Sequence, residues 1–187
     1  MPRGDGRLTH DLDPSAPGPQ DACGVFGVWA PGEEVAKLTY FGLYALQHRG
    51  QEAAGIAVSD GASVVVYKDL GLVSQVFDEQ TLSSLRGHLA VGHCRYSTTG
   101  STTWENAQPT FRTTATGSGL VLGHNGNLVN TAELRDEVAA LRSRQDARRG
   151  GEVQASTDSD LVCELLAATA ADTGVEEAAM RLLPASR

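Results

Sequence analysis

The sequence predicts one α+β domain in which sheet and helix form separate layers. Its 187 residues, 41% hydrophobic and 20% charged, suit a single compact unit with its own core. Short apolar runs rich in β-formers cluster at the start and middle of the chain, and segments of helical periodicity lie between and after them. That distribution is typical of a layered sheet-and-helix fold.

The chain changes character at Cys23. Residues 1–22 contain four of the seven prolines, so we expect a leader without packed structure of its own. The run GVFGVW that follows Cys23, bounded by Gly24 and Pro31, predicts a buried strand.

Residues 33–48 predict the first helix, with acidic side chains in its first turn. Its apolar face is expected to comprise Val35, Leu38, Leu43 and Leu46.

The runs AGIAVS and SVVVYK, joined at Asp60–Gly61, predict a hairpin with a tight primed turn. LAVGHCRY and GLVLGHNG predict two further strands. Helices are predicted over residues 131–144, 160–171 and 175–183, with a polar loop over residues 145–157.

Charge and composition exclude several classes of function. A net charge of -8 and a pI near 5.0 argue against a nucleic-acid partner. The chain shows neither a spanning apolar run nor a secretory signal, so we expect a cytoplasmic protein without a membrane partner. Cys23, Cys94 and Cys163 are too scattered for a disulfide framework, and they lack the paired spacing of a metal site even when His93 and His124 are considered.

Cys23 has two interpretations. Locally it suits a small buried hydrophobe at a strand edge. If the leader is removed, however, its α-amine, with a reference pKa of about 7.7 to 8.0, could act as base for its own thiol. One residue would then supply both nucleophile and base.

Two polar segments pair a structural with a chemical interpretation. QHRGQE suits a helix end, with His48 and Arg49 complementing the dipole and Gly50 left-handed. GHCRYSTTG suits a turn, but Arg95 could also present a planar fork to a carboxylate, with Thr98 as a nearby hydroxyl donor.

Two later segments are similarly ambiguous. HNGN suits a hairpin turn, yet the Asn125 amide and the Gly126 N–H could together face an oxyanion. STDSD suits a capping box of Thr157 and Asp160, which would leave Asp158 as an anion facing an ammonium group.

Read in order, these five segments resemble the class II glutamine amidotransferases, a family of N-terminal-nucleophile enzymes. Within it, CGVFG, QHRGQEAAGI, GHCRYSTTGS with NAQP, HNGNL and STDSD resemble the amidophosphoribosyltransferase branch. The likeness runs from residue 21 to about residue 172 and implies a four-layer αββα sandwich. It also implies that Cys23 is the nucleophile with its α-amine as base, and that Asn125 and Gly126 form the oxyanion hole.

For substrate binding, the resemblance implies that Arg95 and Thr98 hold the α-carboxylate of L-glutamine and Asp158 its α-amino group. Arg49 would play a supporting role.

In this branch, ammonia passes to a phosphoribosyltransferase domain that uses phosphoribosyl pyrophosphate. We expect that domain to lie outside residues 23–187, together with the family's magnesium and iron–sulfur sites, so that the glutaminase domain itself needs no cofactor. The sandwich is expected to be partial at its C-terminal end, with an exposed sheet edge that favours a homo-oligomer. Two alternatives stay open: an inactive fragment acting as a binding module, and another class II amidotransferase or N-terminal-nucleophile hydrolase.

Overall fold

The computed structural model describes residues 23–96, 103–126, 128–145 and 157–182. The predicted leader therefore lies outside the described residues. The elements in chain order are β1 (Gly24–Trp29), α1 (Val35–Leu46), β2 (Ala53–Ser59), β3 (Val64–Leu70), α2 (Val73–Val76), α3 (Glu79–Ser84), β4 (Leu89–Arg95), β5 (Thr110–Thr113), β6 (Gly119–Leu122), α4 (Thr131–Gln145), α5 (Asp158–Thr173) and α6 (Val175–Leu182).

Four strands form an antiparallel sheet in the order β1-β4-β2-β3. The central strand β4 pairs with β1 in a register that sets Gly24 opposite Cys94, and with β2 in a register that sets Ala53 opposite Arg95. The first residues of β1 and β2 therefore lie beside the last residues of β4 at one end of the sheet, and Cys23 precedes β1 at this end.

Helix α1 covers one face of this sheet. Its buried side chains are Val35, Ala36, Thr39 and Leu43. The prediction that Leu38 belongs to the buried face is wrong, because the residue is 40% exposed: the helix rotates so that Thr39, whose hydroxyl donates to the Val35 carbonyl at 2.8 Å, faces inward instead.

Strand β1 is half-buried rather than buried. Phe26 and Val28 pack against the core beneath α1, but Val25 and Trp29 point to the other face and are 38% and 69% exposed. We call this face, which points away from α1, the second face of the sheet. The difference from the prediction arises because β1 is an edge strand that α1 covers on one side only.

The predicted β2–β3 hairpin is confirmed, but its turn is not the predicted primed type. Among the described residues only glycines have positive φ, and Gly61 is the one in this turn, at 90°. The Asp60 carboxylate instead accepts hydrogen bonds from the N–H groups of Ala62 and Ser63 at 2.9 and 2.7 Å. A side-chain-capped loop therefore replaces the two-residue turn.

The remaining elements form a second core. Strands β5 and β6 pair with each other, and Leu120 of β6 packs into an apolar cluster with residues of α4, α5 and α6, among them Leu134, Leu161 and Ala178. Helix α5 begins at Asp158, two residues earlier than predicted, because the Thr157 hydroxyl caps it by accepting from the Asp160 N–H at 3.2 Å.

The two cores stack as four layers in the order helix, sheet, sheet, helix, which is the predicted αββα arrangement. A cleft of about 160 Å³ between β6 and the second face is lined by apolar side chains that include Val64, Leu89, Val91 and Val121. No helix within the described ranges is long and apolar enough to cross a bilayer.

Candidate active site

The thiol of Cys23 lies at the strand-end edge of the first sheet. Its Sγ is 3.5 Å from both the N–H and the carbonyl oxygen of Tyr96, the residue that follows β4. The register between β1 and β4 produces this contact. Cys23 is only partly buried, so its sulfur is reachable, and the Tyr96 N–H is directed at it.

Two predicted site residues converge on the main chain of Cys23. The Asn125 amide donates from Nδ2 to the Cys23 carbonyl at 2.7 Å, and Arg49 donates to the same oxygen from Nε at 3.4 Å. A primary amide carries two N–H groups. Asn125 can therefore hold the Cys23 carbonyl with one N–H and keep a second donor.

Arg49 reaches this position through an unexpected backbone path. Helix α1 ends at Leu46 and is followed by a 3-10 turn over Gln47–Arg49. The predicted left-handed Gly50 is wrong, since its φ of -154° is extended. Glycine is required there because the turn lies very close to β4. A Cβ would lie 2.5 Å from the Cys94 carbonyl oxygen, so a side chain would push the turn away from β4.

Arg95 is the last residue of β4 and is only 6% exposed. Its carbonyl accepts from the Glu52 N–H at 3.1 Å, which ties the start of β2 to this edge. Side chains alternate along a strand, so Arg95 and His93 share the second face. Thr98, predicted to assist Arg95, lies outside the described residues.

His124, the residue before Asn125, is bonded through three of its groups. Its N–H donates to Gln108 Oε1 at 2.8 Å, its carbonyl accepts from His93 Nε2 at 3.1 Å, and its Nδ1 lies 3.1 Å from Ser159 Oγ. The segment does not turn a hairpin: β6 ends at Leu122, and none of the described residues between it and α4 is in a strand.

Gly126 lies against the ring of His124. A Cβ at this position would be 2.8 Å from His124 Nε2, so a larger residue would displace either the imidazole or the loop. This contact keeps the main chain that carries the Gly126 N–H close to the His124 side chain.

His93 is an uncharged part of this arrangement. Burial lowers its pKa from 6.5 to about 4, and hydrogen bonding to the His124 carbonyl requires its proton on Nε2. Its Nδ1 is buried and finds no hydrogen-bond partner among the described residues.

Asp158 joins the site from the first turn of α5. Its carboxylate accepts from the Leu128 and Ser159 N–H groups at 3.1 and 2.7 Å, and one oxygen lies 4.0 Å from His124 Nδ1. The side chain remains 16% exposed. A carboxylate offers about four lone-pair positions, so these bonds leave capacity for a substrate ammonium group.

The sequence predicts no role for Gln108 or Ser159, and it suggests His93 only as a possible metal ligand. All three lie in polar motifs, but each contacts His124 through a hydrogen bond that spans a long stretch of sequence. Within the described ranges no three His, Cys, Asp or Glu side chains form a group that could hold a metal ion.

Comparison with known proteins defines the class. The family described as glutamine amidotransferases class-II matches residues 34–185, and the chain belongs to this family. The fold agrees with this assignment. The chain is 68% identical over 169 residues to the amidophosphoribosyltransferase of Mycobacterium leprae and 66% identical to that of Mycobacterium tuberculosis.

These alignments cover 90% of this chain but 30% and 32% of the two relatives. The chain therefore spans about a third of the length of the curated relatives it matches. Among solved structures, the Bacillus subtilis glutamine phosphoribosylpyrophosphate amidotransferase with ADP and GMP superposes with a TM-score of 0.69 at 34% identity, over 87% of this chain and 33% of that one.

Proposed function

We propose that this chain hydrolyses L-glutamine to glutamate and ammonia through a thioester on Cys23. The observation that carries the proposal is the meeting of a partly exposed Cys23 thiol, a main-chain donor from Tyr96 and the Asn125 amide at one sheet edge, in a chain of the class-II family.

The chemistry starts with removal of the leader after Ala22, which exposes the α-amine of Cys23. The amine takes the proton from Sγ, and the thiolate attacks the amide carbon of glutamine. The tetrahedral oxyanion is stabilised by the Asn125 amide and the Gly126 N–H. The protonated amine then gives its proton to the leaving nitrogen, ammonia departs, and water cleaves the thioester to glutamate while regenerating the thiol.

Recognition of free glutamine relies on its two charged ends. Arg95, assisted by Thr98, binds the α-carboxylate with a planar fork, and Asp158 binds the α-amino group. Arg49 supports the site by holding the Cys23 carbonyl. None of these groups requires a cofactor within this chain.

The destination of the ammonia is part of the proposal. Relatives three times longer are named amidophosphoribosyltransferases, which supports transfer of ammonia to phosphoribosyl pyrophosphate by a region outside this chain, giving phosphoribosylamine at the start of purine synthesis. Magnesium and any iron–sulfur cluster would belong to that region. Self-association through an exposed sheet edge would give a homo-oligomer.

The first test combines intact mass with glutamate release. Protein that begins at Cys23 should produce glutamate from glutamine, and Cys23→Ala should abolish this activity. Protein that retains Met1 should be inactive. A processed, folded chain that binds glutamine without releasing glutamate would instead identify a binding module, and efficient hydrolysis of amides lacking an α-amino acid group would indicate another N-terminal-nucleophile hydrolase.

Two substitutions separate catalysis from binding. Asn125→Ala should lower kcat by a factor equivalent to about 2.7 to 4 kcal/mol with little change in KM, because an oxyanion donor acts mainly in the transition state. Arg95→Lys should mainly raise KM, because a lysine cannot form the two parallel hydrogen bonds of a guanidinium. Steady-state kinetics with glutamine decides, and the assigned roles are wrong if both variants change KM alone.

A further inference from the structure

Gln108 makes two hydrogen bonds that both lead to His124. Its Oε1 accepts from the His124 N–H at 2.8 Å, and its Nε2 donates to Ser159 Oγ at 3.1 Å. The Ser159 hydroxyl, on a residue that is 2% exposed, lies 3.1 Å from His124 Nδ1. One side-chain amide therefore restrains both the main chain and the ring of the same histidine.

The His124 carbonyl is restrained independently by His93 at 3.1 Å. With a bonded N–H, a bonded carbonyl and a bonded ring, the two peptide planes at His124 have little freedom. The next residue along the chain is Asn125, whose amide lies 2.7 Å from the Cys23 carbonyl. The direction of Asn125 and of the Gly126 N–H therefore depends on how His124 is held.

We propose that Gln108 is a positioning residue for glutamine hydrolysis: by fixing His124, it aims the Asn125 amide and the Gly126 N–H at the reaction centre beside Cys23. The inference rests on the proposed function of these groups. Gln108 acts through His124 and makes no contact with the reacting atoms. A displacement of about 1 Å in such donors can cost roughly a hundredfold in rate, so a residue without substrate contact can control turnover.

Two variants of Gln108 distinguish positioning from simple packing. Gln108→Met keeps the length of the side chain and removes both hydrogen bonds. Gln108→Glu keeps the acceptor for the His124 N–H. A carboxylate cannot donate to Ser159 Oγ, so a bond to Ser159 would require the single hydroxyl proton to turn away from Asp158 Oδ1, which lies 3.3 Å from that hydroxyl. The matched control is Gln75→Met, which removes an amide that likewise accepts a main-chain N–H, that of Leu72 at 3.0 Å, but at the start of α2.

For the processed protein, we expect Gln108→Met to lower kcat for glutamate release by about tenfold to a hundredfold while KM stays near the parent value. Gln108→Glu should recover most of the lost kcat, and Gln75→Met should match the parent. The rate of iodoacetamide alkylation at Cys23 should be the same in all four proteins, because alkylation of a thiolate needs no oxyanion donor.

Amide hydrogen exchange gives a readout that does not depend on activity. The His124 N–H should exchange faster in Gln108→Met than in the parent and be protected again in Gln108→Glu. The inference is overturned if Gln108→Met keeps the parent kcat, if kcat and KM change together without recovery in Gln108→Glu, or if His124 exchange is unchanged. A parent protein that releases no glutamate, but shows the exchange pattern, would contradict the proposed function and confine Gln108 to holding the loop.

Discussion

The imidazole of His93 is fully buried on the second face of β4 and donates from Nε2 to the His124 carbonyl. Burial holds its pKa at about 4, so the ring is neutral at the pH at which most enzymes work. A neutral donor can hold a carbonyl without placing a positive charge between Arg95 and the His124 loop. This residue therefore links sheet and loop at low electrostatic cost.

Titration of His93 should make stability depend on pH. In the unfolded chain its pKa is 6.5, whereas in the folded chain it is about 4, so between these values the unfolded state binds more protons. The resulting stabilisation is present above pH 6.5 and is lost as the pH falls towards 4, by about 3 kcal/mol in total.

Urea unfolding at several pH values checks this expectation against His93→Gln, which keeps a donor but does not titrate. Acidic side chains contribute to both proteins, so the difference between the two curves isolates His93. If the unfolding free energies of the two proteins depended on pH in the same way between pH 6.5 and 4, the titration of His93 would be contradicted.

At the scale of elements, β5 and α5 are joined by Arg112. Its Nε lies 2.8 Å from Glu164 Oε2 and its Nη2 lies 3.3 Å from Asp160 Oδ1, with all three side chains less than a quarter exposed. These ion pairs connect the strand before β6 to the helix that carries Asp158 and Ser159. The position of that helix relative to the His124 loop thus depends partly on one guanidinium.

Arg112→Met should lower the free energy of unfolding by about 2 kcal/mol, because two partly buried carboxylates lose charged hydrogen bonds. Arg181→Met is the matched control: its pair with Glu177 lies four residues away on α6 at more than half exposure, and it should cost less than about 0.5 kcal/mol. Equal losses measured by urea denaturation would show that the Arg112 pairs add nothing beyond surface charge.

Most of the elements that the sequence predicts are long enough to show a repeating pattern of apolar residues. The hairpin of β2 and β3, the strand β4 and the helices α1, α4, α5 and α6 all carry such a pattern and are confirmed. The predictions missed α2, α3 and β5, which have four, six and four residues and are too short to show periodicity. Strand β6 is equally short, but its continuous apolar run GLVL made it predictable.

The candidate site was predictable only in part. Cys23 and Asn125 lie in motifs whose chemistry can be inferred from residue type, and the structure brings them together. The contacts of His93, Gln108 and Ser159 with His124 depend on strand register and on packing between segments that are far apart in sequence. No local pattern encodes them.

At the scale of the whole molecule, the site lies between the two cores. Cys23 directly precedes β1 and Arg95 ends β4 in the first sheet, whereas Asn125 follows β6 and Asp158 begins α5 beside the second core. Direct bonds between the halves include Trp104 Nε1 to the Lys68 carbonyl at 3.0 Å and His93 to the His124 carbonyl. The active arrangement therefore requires that both halves fold and pack together.

The three cysteines can report on this dependence. Cys94 lies in the first core and Cys163 in the second, each with no exposed surface. Burial raises the pKa of both thiols, that of Cys163 to about 12. In the native protein, iodoacetamide should therefore modify Cys23 alone, as located by peptide mass spectrometry.

With increasing urea, Cys94 and Cys163 should become reactive at the same midpoint, because the bonds between the halves make unfolding cooperative. Earlier reaction of Cys163 than of Cys94 would show instead that the second core opens by itself. In that case glutaminase activity should be lost at the urea concentration at which Cys163 becomes reactive, rather than at the higher concentration at which Cys94 does.

Six residue pairs hold β1 against β4, with Gly24 opposite Cys94. If this edge strand slipped by one residue, every side chain of β1 would exchange faces: Phe26 would leave the core beneath α1, and the sulfur of Cys23 would no longer meet the main chain of Tyr96. Misalignment would thus disrupt core packing and move the Cys23 thiol, so the apolar contacts that fix the register of β1 also fix the position of this thiol.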